Sequence, residues 1–149
     1  MSIIVLPQAF AYPAAAVVST FWLTAYQMIN VSIARKAAKI VYPQMYAEKA
    51  QAEASKEAFK FNCAQRAHQN TLEWLPQIIA STLIVGLKYP IPAAALCGLW
   101  TASRFLYTFG YTSGGPGKRS LLGNTAINAI VQLGFILGGS TYTVYQLLA

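Results

Sequence analysis

The chain has 149 residues, 56% of them hydrophobic and only 10% charged, with a formal net charge of +7. A water-soluble domain carries charge on roughly a quarter of its positions, so this composition excludes water as the surroundings of most of the surface; the length fits one domain. The basic residues cluster beside long apolar stretches and not on a separate polar unit, which excludes a nucleic-acid-binding module.

No charged residue occurs from Met1 to Ala34. Ala14 to Ile33 alone would rise about 30 Å as a helix, the usual thickness of bilayer hydrocarbon. No basic segment precedes this run, which argues against a cleaved leader. A first helix is expected over about 13–36. From Lys39 to Lys60 the chain is alanine-rich with mixed charge (Glu48, Lys49, Glu53, Lys56, Glu57), the pattern of a solvated excursion or an extension of the next helix. A second helix over about 62–88 and a third over about 91–111 are joined by Lys88-Tyr89-Pro90-Ile91-Pro92, a short proline-marked turn that forces an antiparallel hairpin. Ser120 to Ala149 is again free of charge and holds a fourth helix over about 122–148. The expected fold is therefore all-α, an integral membrane four-helix bundle in one domain.

Basic residues lie between helices 1 and 2 (Arg35, Lys36, Lys39, Lys49, Lys56, Lys60) and between helices 3 and 4 (Lys118, Arg119), against Lys88 alone on the opposite side. The positive-inside rule then turns both basic loops towards the cytosol, where anionic lipid headgroups are within their reach. It also leaves the sequon Asn30-Val31-Ser32 on the side where glycosylation does not occur. Cys63 and Cys97 sit at very different depths from the hairpin turn and are read as small packing residues. No His, Cys and carboxylate spacing resembles a metal site, and His68 is the single histidine.

Ionisable groups inside a span cost a few kcal/mol each on insertion scales (roughly 3 for Arg), so they mark function by default. In helix 2, Arg66, Asn70, Glu73 and Gln77 recur at i, i+4, i+7 and i+11 and form one stripe; in helix 3, Arg104, Tyr107 and Tyr111 do the same. Counted from the turn, Glu73 and Arg104 lie at matching depth, which predicts an ion pair that holds Arg104 in the bundle. Such a stripe can simply fasten helices together. Two arginines, a glutamate, an asparagine and two tyrosines exceed that need and suit a small, zwitterionic, net anionic guest. Asn124, Asn128 and Gln132 in helix 4 form a weaker stripe, read as packing.

The run Phe61-Asn62-Cys63-Ala64-Gln65-Arg66-Ala67-His68-Gln69-Asn70-Thr71-Leu72-Glu73, with Ile29-Asn30-Val31-Ser32, Ala34-Arg35-Lys36, Tyr42-Pro43, Met45-Tyr46, Gly110-Tyr111 and Lys118-Arg119-Ser120, resembles the superfamily of membrane-associated proteins in eicosanoid and glutathione metabolism, and within it the type-3 microsomal glutathione transferases. The resemblance implies a homotrimer in the endoplasmic reticulum or another intracellular membrane, with glutathione bound between subunits near the cytosolic face. It implies that Arg66, Asn70, Glu73, Tyr107 and Tyr111 bind glutathione, with Arg35 from the adjacent subunit and His68 at a position where relatives have a glutamine. Trp74 stands where relatives have a tyrosine. The thiol-activating arginine falls on Arg119, or on Lys118 if the alignment is ungapped, and Lys36 is the second catalytic position. The implied activity is conjugation of glutathione to lipophilic electrophiles, of the leukotriene C4 synthase type or broader, or reduction of lipid hydroperoxides. A non-enzymatic lipid-presenting helper of the lipoxygenase-activating type is the alternative. A transporter or channel subunit would need polar groups in both halves of the bundle, yet Ile91 to Leu99 is essentially apolar.

Overall fold

The computed structural model describes residues 6–120 and 124–149, and among these every regular element is helical. After a 3-10 turn at Gln8–Phe10, α1 runs Ala11–Ala38 and buries the i+3/i+4 stripe Pro13, Val17, Thr20, Leu23 and Gln27. Its other faces carry exposed Phe21, Trp22, Ile29 and Ile33. Large apolar side chains on the outer faces as well as the inner one call for an apolar surrounding. It ends where Lys39 takes the left-handed conformation (φ 55°) and the Ile40 amide donates back to the Arg35 carbonyl at 3.3 Å, with Ile40 buried against Ala34 and Ala38.

The solvated excursion resolves into a short helix, α2 (Lys49–Ala54), opened by a capping box between Glu48 and Gln51. Ser55 then caps α3 (Lys56–Gly86) by accepting from the Ala58 amide at 3.3 Å. The second helix thus starts six residues before the expected Asn62, because the cap and the acidic Glu57 in the first turn favour a helix start there. The turn Leu87–Tyr89 closes with the Tyr89 amide on the Val85 carbonyl at 2.7 Å, and Pro90 opens α4 (Pro90–Gly114) at a position that needs no amide donor. A 3-10 turn (Pro116–Lys118) follows. The expected start of the last helix at Leu122 lies outside the described residues. From Asn124 the chain is helical in three registers: α5 (Asn124–Ile130), a π-helical segment (Val131–Gly139) and α6 (Ser140–Leu148). By length and composition Thr125–Leu148 is the one described helix apolar enough to cross a membrane. Polar residues in α1, α3 and α4 keep them below that threshold.

α1, α3 and α4 pack on one another, and the last helix leans on α3 and α4. Leu23, Ile78, Val85, Ala93, Cys97, Trp100, Val131 and Phe135 form the main core, towards the hairpin turn. There a Cβ on Gly86 would come within 2.9 Å of the Pro13 ring, so the glycine permits the close approach of α1 and α3. At the opposite end the apolar clusters are small: Ile40, Ala47, Ala58 and Phe61 in one, Cys63, Ala67 and Tyr111 in the other. Both cysteines are buried and unbridged.

Candidate functional site

The polar stripe of α3 forms a connected chain on an open face. Arg66 Nη1 lies 2.8 Å from Glu73 Oε1, two turns away, and both side chains are 45% exposed. Asn70 Nδ2 donates to Glu73 Oε2 at 3.2 Å. The other amide atom points inward, where Asn70 Oδ1 accepts from Arg104 Nη2 at 3.0 Å.

Arg104 does not pair with Glu73. Its guanidinium, 2% exposed, donates instead to Thr71 Oγ1 (Nε 3.1 Å, Nη2 2.8 Å) and lies 4.0 Å from the centroid of the Tyr107 ring. The reason is azimuth. Thr71 and Glu73, two residues apart, project about 200° apart on the helix. Thr71 faces α4 and Glu73 does not, so matched depth leaves them on different sides of α3. Asn70, between the two directions, bridges the cation and the carboxylate.

Behind Arg104 is a second polar layer. Gln27 Nε2 donates to Thr71 Oγ1 at 2.8 Å and to Thr108 Oγ1 at 2.7 Å, tying α1, α3 and α4 together in the interior. Sequence reasoning singled out none of Gln27, Thr71 and Thr108 as site residues, although Thr71 falls inside the quoted run from Phe61 to Glu73.

Tyr107 and Tyr111 stand one turn apart with ring centroids 5.5 Å from each other, and Tyr111 packs on Cys63 and Ala67. Beside Tyr111 and Arg66 opens a cavity of about 440 Å³, whose other walls are Tyr46, Cys63 and, from α2, Lys49 and Glu53. Tyr46 sits in the loop ahead of α2 and donates its hydroxyl to Gln69 Oε1. Burial pushes its phenol above the ordinary value, against the opposing charge of Arg66, so it is a neutral donor at physiological pH.

Arg35 and His68 lie elsewhere. They line a separate cavity of about 410 Å³ with Tyr42, Met45 and Gln65. His68 is two residues from Arg66 and so projects about 200° away on the same helix. The Arg35 guanidinium is 4.4 Å from the Tyr42 ring centroid and 4.5 Å from that of Phe61, and it donates to the Gln44 carbonyl at 2.6 Å. One chain therefore does not bring Arg35 and His68 to the face that carries Arg66, Asn70 and Glu73.

Lys118 closes the 3-10 turn after α4 and Arg119 follows it; both are exposed. Arg119 is near enough for its charge to act on the Tyr107 phenol. The turn is set by Gly115 (φ 74°, ψ −170°), a backbone conformation essentially confined to glycine, with the Phe59 ring 3.2 Å from where a Cβ would stand. Lys36 is exposed in the last turn of α1. In the last helix, Asn128 accepts from Ser103 Oγ at 2.7 Å, a packing contact between α4 and α5.

The MAPEG family's sequence profile matches residues 13–139, from the first turn of α1 through the π-helical segment. That family is membrane-associated and includes glutathione transferases, peroxidases and non-enzymatic lipid-presenting members. The matched span takes in the α3 stripe, the buried Arg104 layer, both tyrosines and the Gly115 turn, and with most of its length so matched this chain belongs to the MAPEG family.

Proposed function

We propose that this protein is a glutathione transferase with hydroperoxide-reducing capacity, embedded by four helices in an intracellular membrane with its site towards the cytosol. The observation that carries the reading is the open chain Arg66–Asn70–Glu73, backed by an arginine that has no direct carboxylate partner among the described residues. Glutathione offers an ammonium group for Glu73 and carboxylates for cations. The buried charge of Arg104 adds a positive field beneath a net anionic guest. The exposed apolar faces of α1 and the last helix supply the lipid-facing surface.

Arg119 is the residue assigned to the thiol. Its guanidinium acts by charge and not as a base, holding the sulfur as thiolate. In conjugation the thiolate forms a C–S bond as the acceptor's leaving group departs or its epoxide opens to an alkoxide that takes up a proton. In peroxide reduction the thiolate attacks the distal oxygen and the O–O bond breaks to release an alcohol. The resulting sulfenic acid then condenses with a second glutathione to give the disulfide and water. Lys36 is the second cation proposed near the reacting centre, and Lys118 takes the place of Arg119 if the match to the family runs without an inserted residue in the Gly114–Gly117 turn.

A homotrimer is part of the reading. Arg35 and His68 open on one side of α3 and Arg66, Asn70 and Glu73 on the other, so a site using both sets needs neighbouring chains, and Arg35 would have to leave its Tyr42 and Phe61 cage to reach a neighbour's ligand. The test is retention of purified protein on immobilised glutathione, followed by turnover with an aryl halide, a lipid hydroperoxide and a leukotriene epoxide. Retention with turnover of at least one acceptor is expected. Retention with none would favour the lipid-presenting alternative, and no retention would sink the glutathione reading.

A further inference from the structure

The end of the bundle opposite the hairpin turn carries a groove that the site described above does not use. Its volume is about 330 Å³, with α1 and α4 as its walls and the first turns of α3 as its floor. We infer that this groove binds the headgroup of a phosphatidylethanolamine from the surrounding bilayer, with Lys60 on the phosphate and Glu57 on the ammonium group. The inference rests on the embedding of the bundle in a membrane and is independent of glutathione.

Position separates the groove from the glutathione face. Its floor residues Glu57, Lys60 and Ala64 lie about 120° or more around α3 from Arg66. Along α1 it spans Asn30 to Ala37 and along α4 Phe109 to Ser113, the last turns of both helices, where a span passes from hydrocarbon to headgroups. Ile33 and Phe109 on its two walls are 65% and 61% exposed, apolar surface suited to the start of the acyl chains.

Charge and hydrogen bonding select the headgroup. Glu57 and Lys60, three residues apart, are spaced to pair with each other. The Lys60 charge does act on Glu57, yet no ion pair joins them among the described residues; the carboxylate instead accepts from Ser55 Oγ at 3.2 Å. Each charge is therefore available to an outside partner of opposite sign. The groove also holds Asn30, whose amide makes no hydrogen bond among the described residues and can donate to a phosphate oxygen. Thr112 and Ser113 offer the complement. Their hydroxyl hydrogens are spent on carbonyls of α4, Thr112 on Thr108 at 2.8 Å and Ser113 on Phe109 at 2.7 Å, so lone pairs remain for a donor. A plain anion would meet the Glu57 carboxylate, and the quaternary nitrogen of choline has no N–H to give. Phosphate beside a primary ammonium satisfies both sets.

The experiment titrates the purified full-length protein in nonionic detergent with phosphatidylethanolamine, phosphatidylcholine and phosphatidylglycerol of identical acyl chains, and reads retained lipid by native mass spectrometry. Wild type should hold the ethanolamine lipid about fivefold more tightly than the choline lipid, and more tightly than the glycerol lipid. Glu57 and Lys60 are exposed, so their substitution leaves the packing intact. Glu57→Gln should bring the ethanolamine lipid down to the level of the choline lipid. Lys60→Gln should weaken both and keep their ratio, while Glu53→Gln on α2 should change neither. Equal retention of the ethanolamine and choline lipids by wild type, a Glu57→Gln variant that keeps the preference, or a glycerol lipid held as tightly as the ethanolamine one overturns the inference and leaves the embedding intact. A wild type that holds none of these lipids sinks both.

Discussion

Two layers of polar residues lie side by side in this molecule and differ in what completes them. The inner one, Gln27, Thr71, Arg104 and Thr108, is buried, with α1 and α4 supplying the donors and Thr71 of α3 accepting from both. The outer one, Arg66, Asn70 and Glu73, is half exposed and held within a single helix. Buried polar groups must be satisfied where they stand, whereas exposed ones can exchange partners. The inner layer accordingly fixes how α1, α3 and α4 meet, and the outer one is available to a guest. Asn70 belongs to both.

Substitutions should separate the two. The largest effect is expected from Arg104→Ala, which empties interior volume and removes the donors to Thr71 and Asn70; it should lower stability by about 3 kcal/mol, read as a drop in melting temperature. Arg104→Met, which refills the space, should recover much of that stability without restoring glutathione affinity. If it restores both, the guanidinium acts only by filling space.

Glu73→Gln should do the reverse, costing about tenfold in glutathione affinity with the melting temperature nearly unchanged, since a charge-assisted hydrogen bond is lost from an exposed site. A large fall in stability would move Glu73 to the inner layer. Gly115→Ala forces a side chain into a conformation that costs about 1–3 kcal/mol and pushes on Phe59. Because that turn presents Arg119, turnover should fall more than affinity, which steady-state kinetics over a range of glutathione concentrations will show.

The smallest effect is expected at Glu57, in the first turn of α3 outside the bundle interior. Its own backbone amide, and then the Ser55 hydroxyl, hold its carboxyl below the ordinary value. A depressed folded-state value means that its contribution is fully present above the ordinary glutamate range and lost as pH falls through the lowered folded-state value. The melting-temperature gap between wild type and Glu57→Gln should therefore be visible at neutral pH and close in acid.

Much of this arrangement was legible from residue order. Charge-free runs placed the outer helices, the proline-marked turn placed the start of α4 at Ile91, one residue from its position at Pro90, and i, i+4, i+7 spacing placed Arg66, Asn70 and Glu73 on one face. Depth along a helix was legible too, but azimuth relative to a partner was not, so Arg104 and Glu73 were matched by level although they point apart. Gln27, Thr71 and Thr108 carry no charge and read like ordinary packing residues in an apolar helix. The opposed directions of Arg66 and His68 followed from their two-residue spacing alone. The widened turn in the last helix has no signal in a hydrophobic pattern that lacks strong periodicity.

That widened turn has a mechanical consequence. In an ordinary α-helix each four-residue step drifts about 40° around the axis. Val131, Phe135, Gly139 and Thr143 follow at four-residue steps, and the looser winding from Val131 to Gly139 offsets the drift and keeps them in file along α3 and α4. The phase of everything downstream depends on it, including Gln146, which takes two hydrogen bonds at 3.1 Å from Lys88 at the hairpin tip. Deleting one residue among the glycines would rewind the segment, swing the chain end by about 100°, and unclasp the tip of the hairpin from a distance.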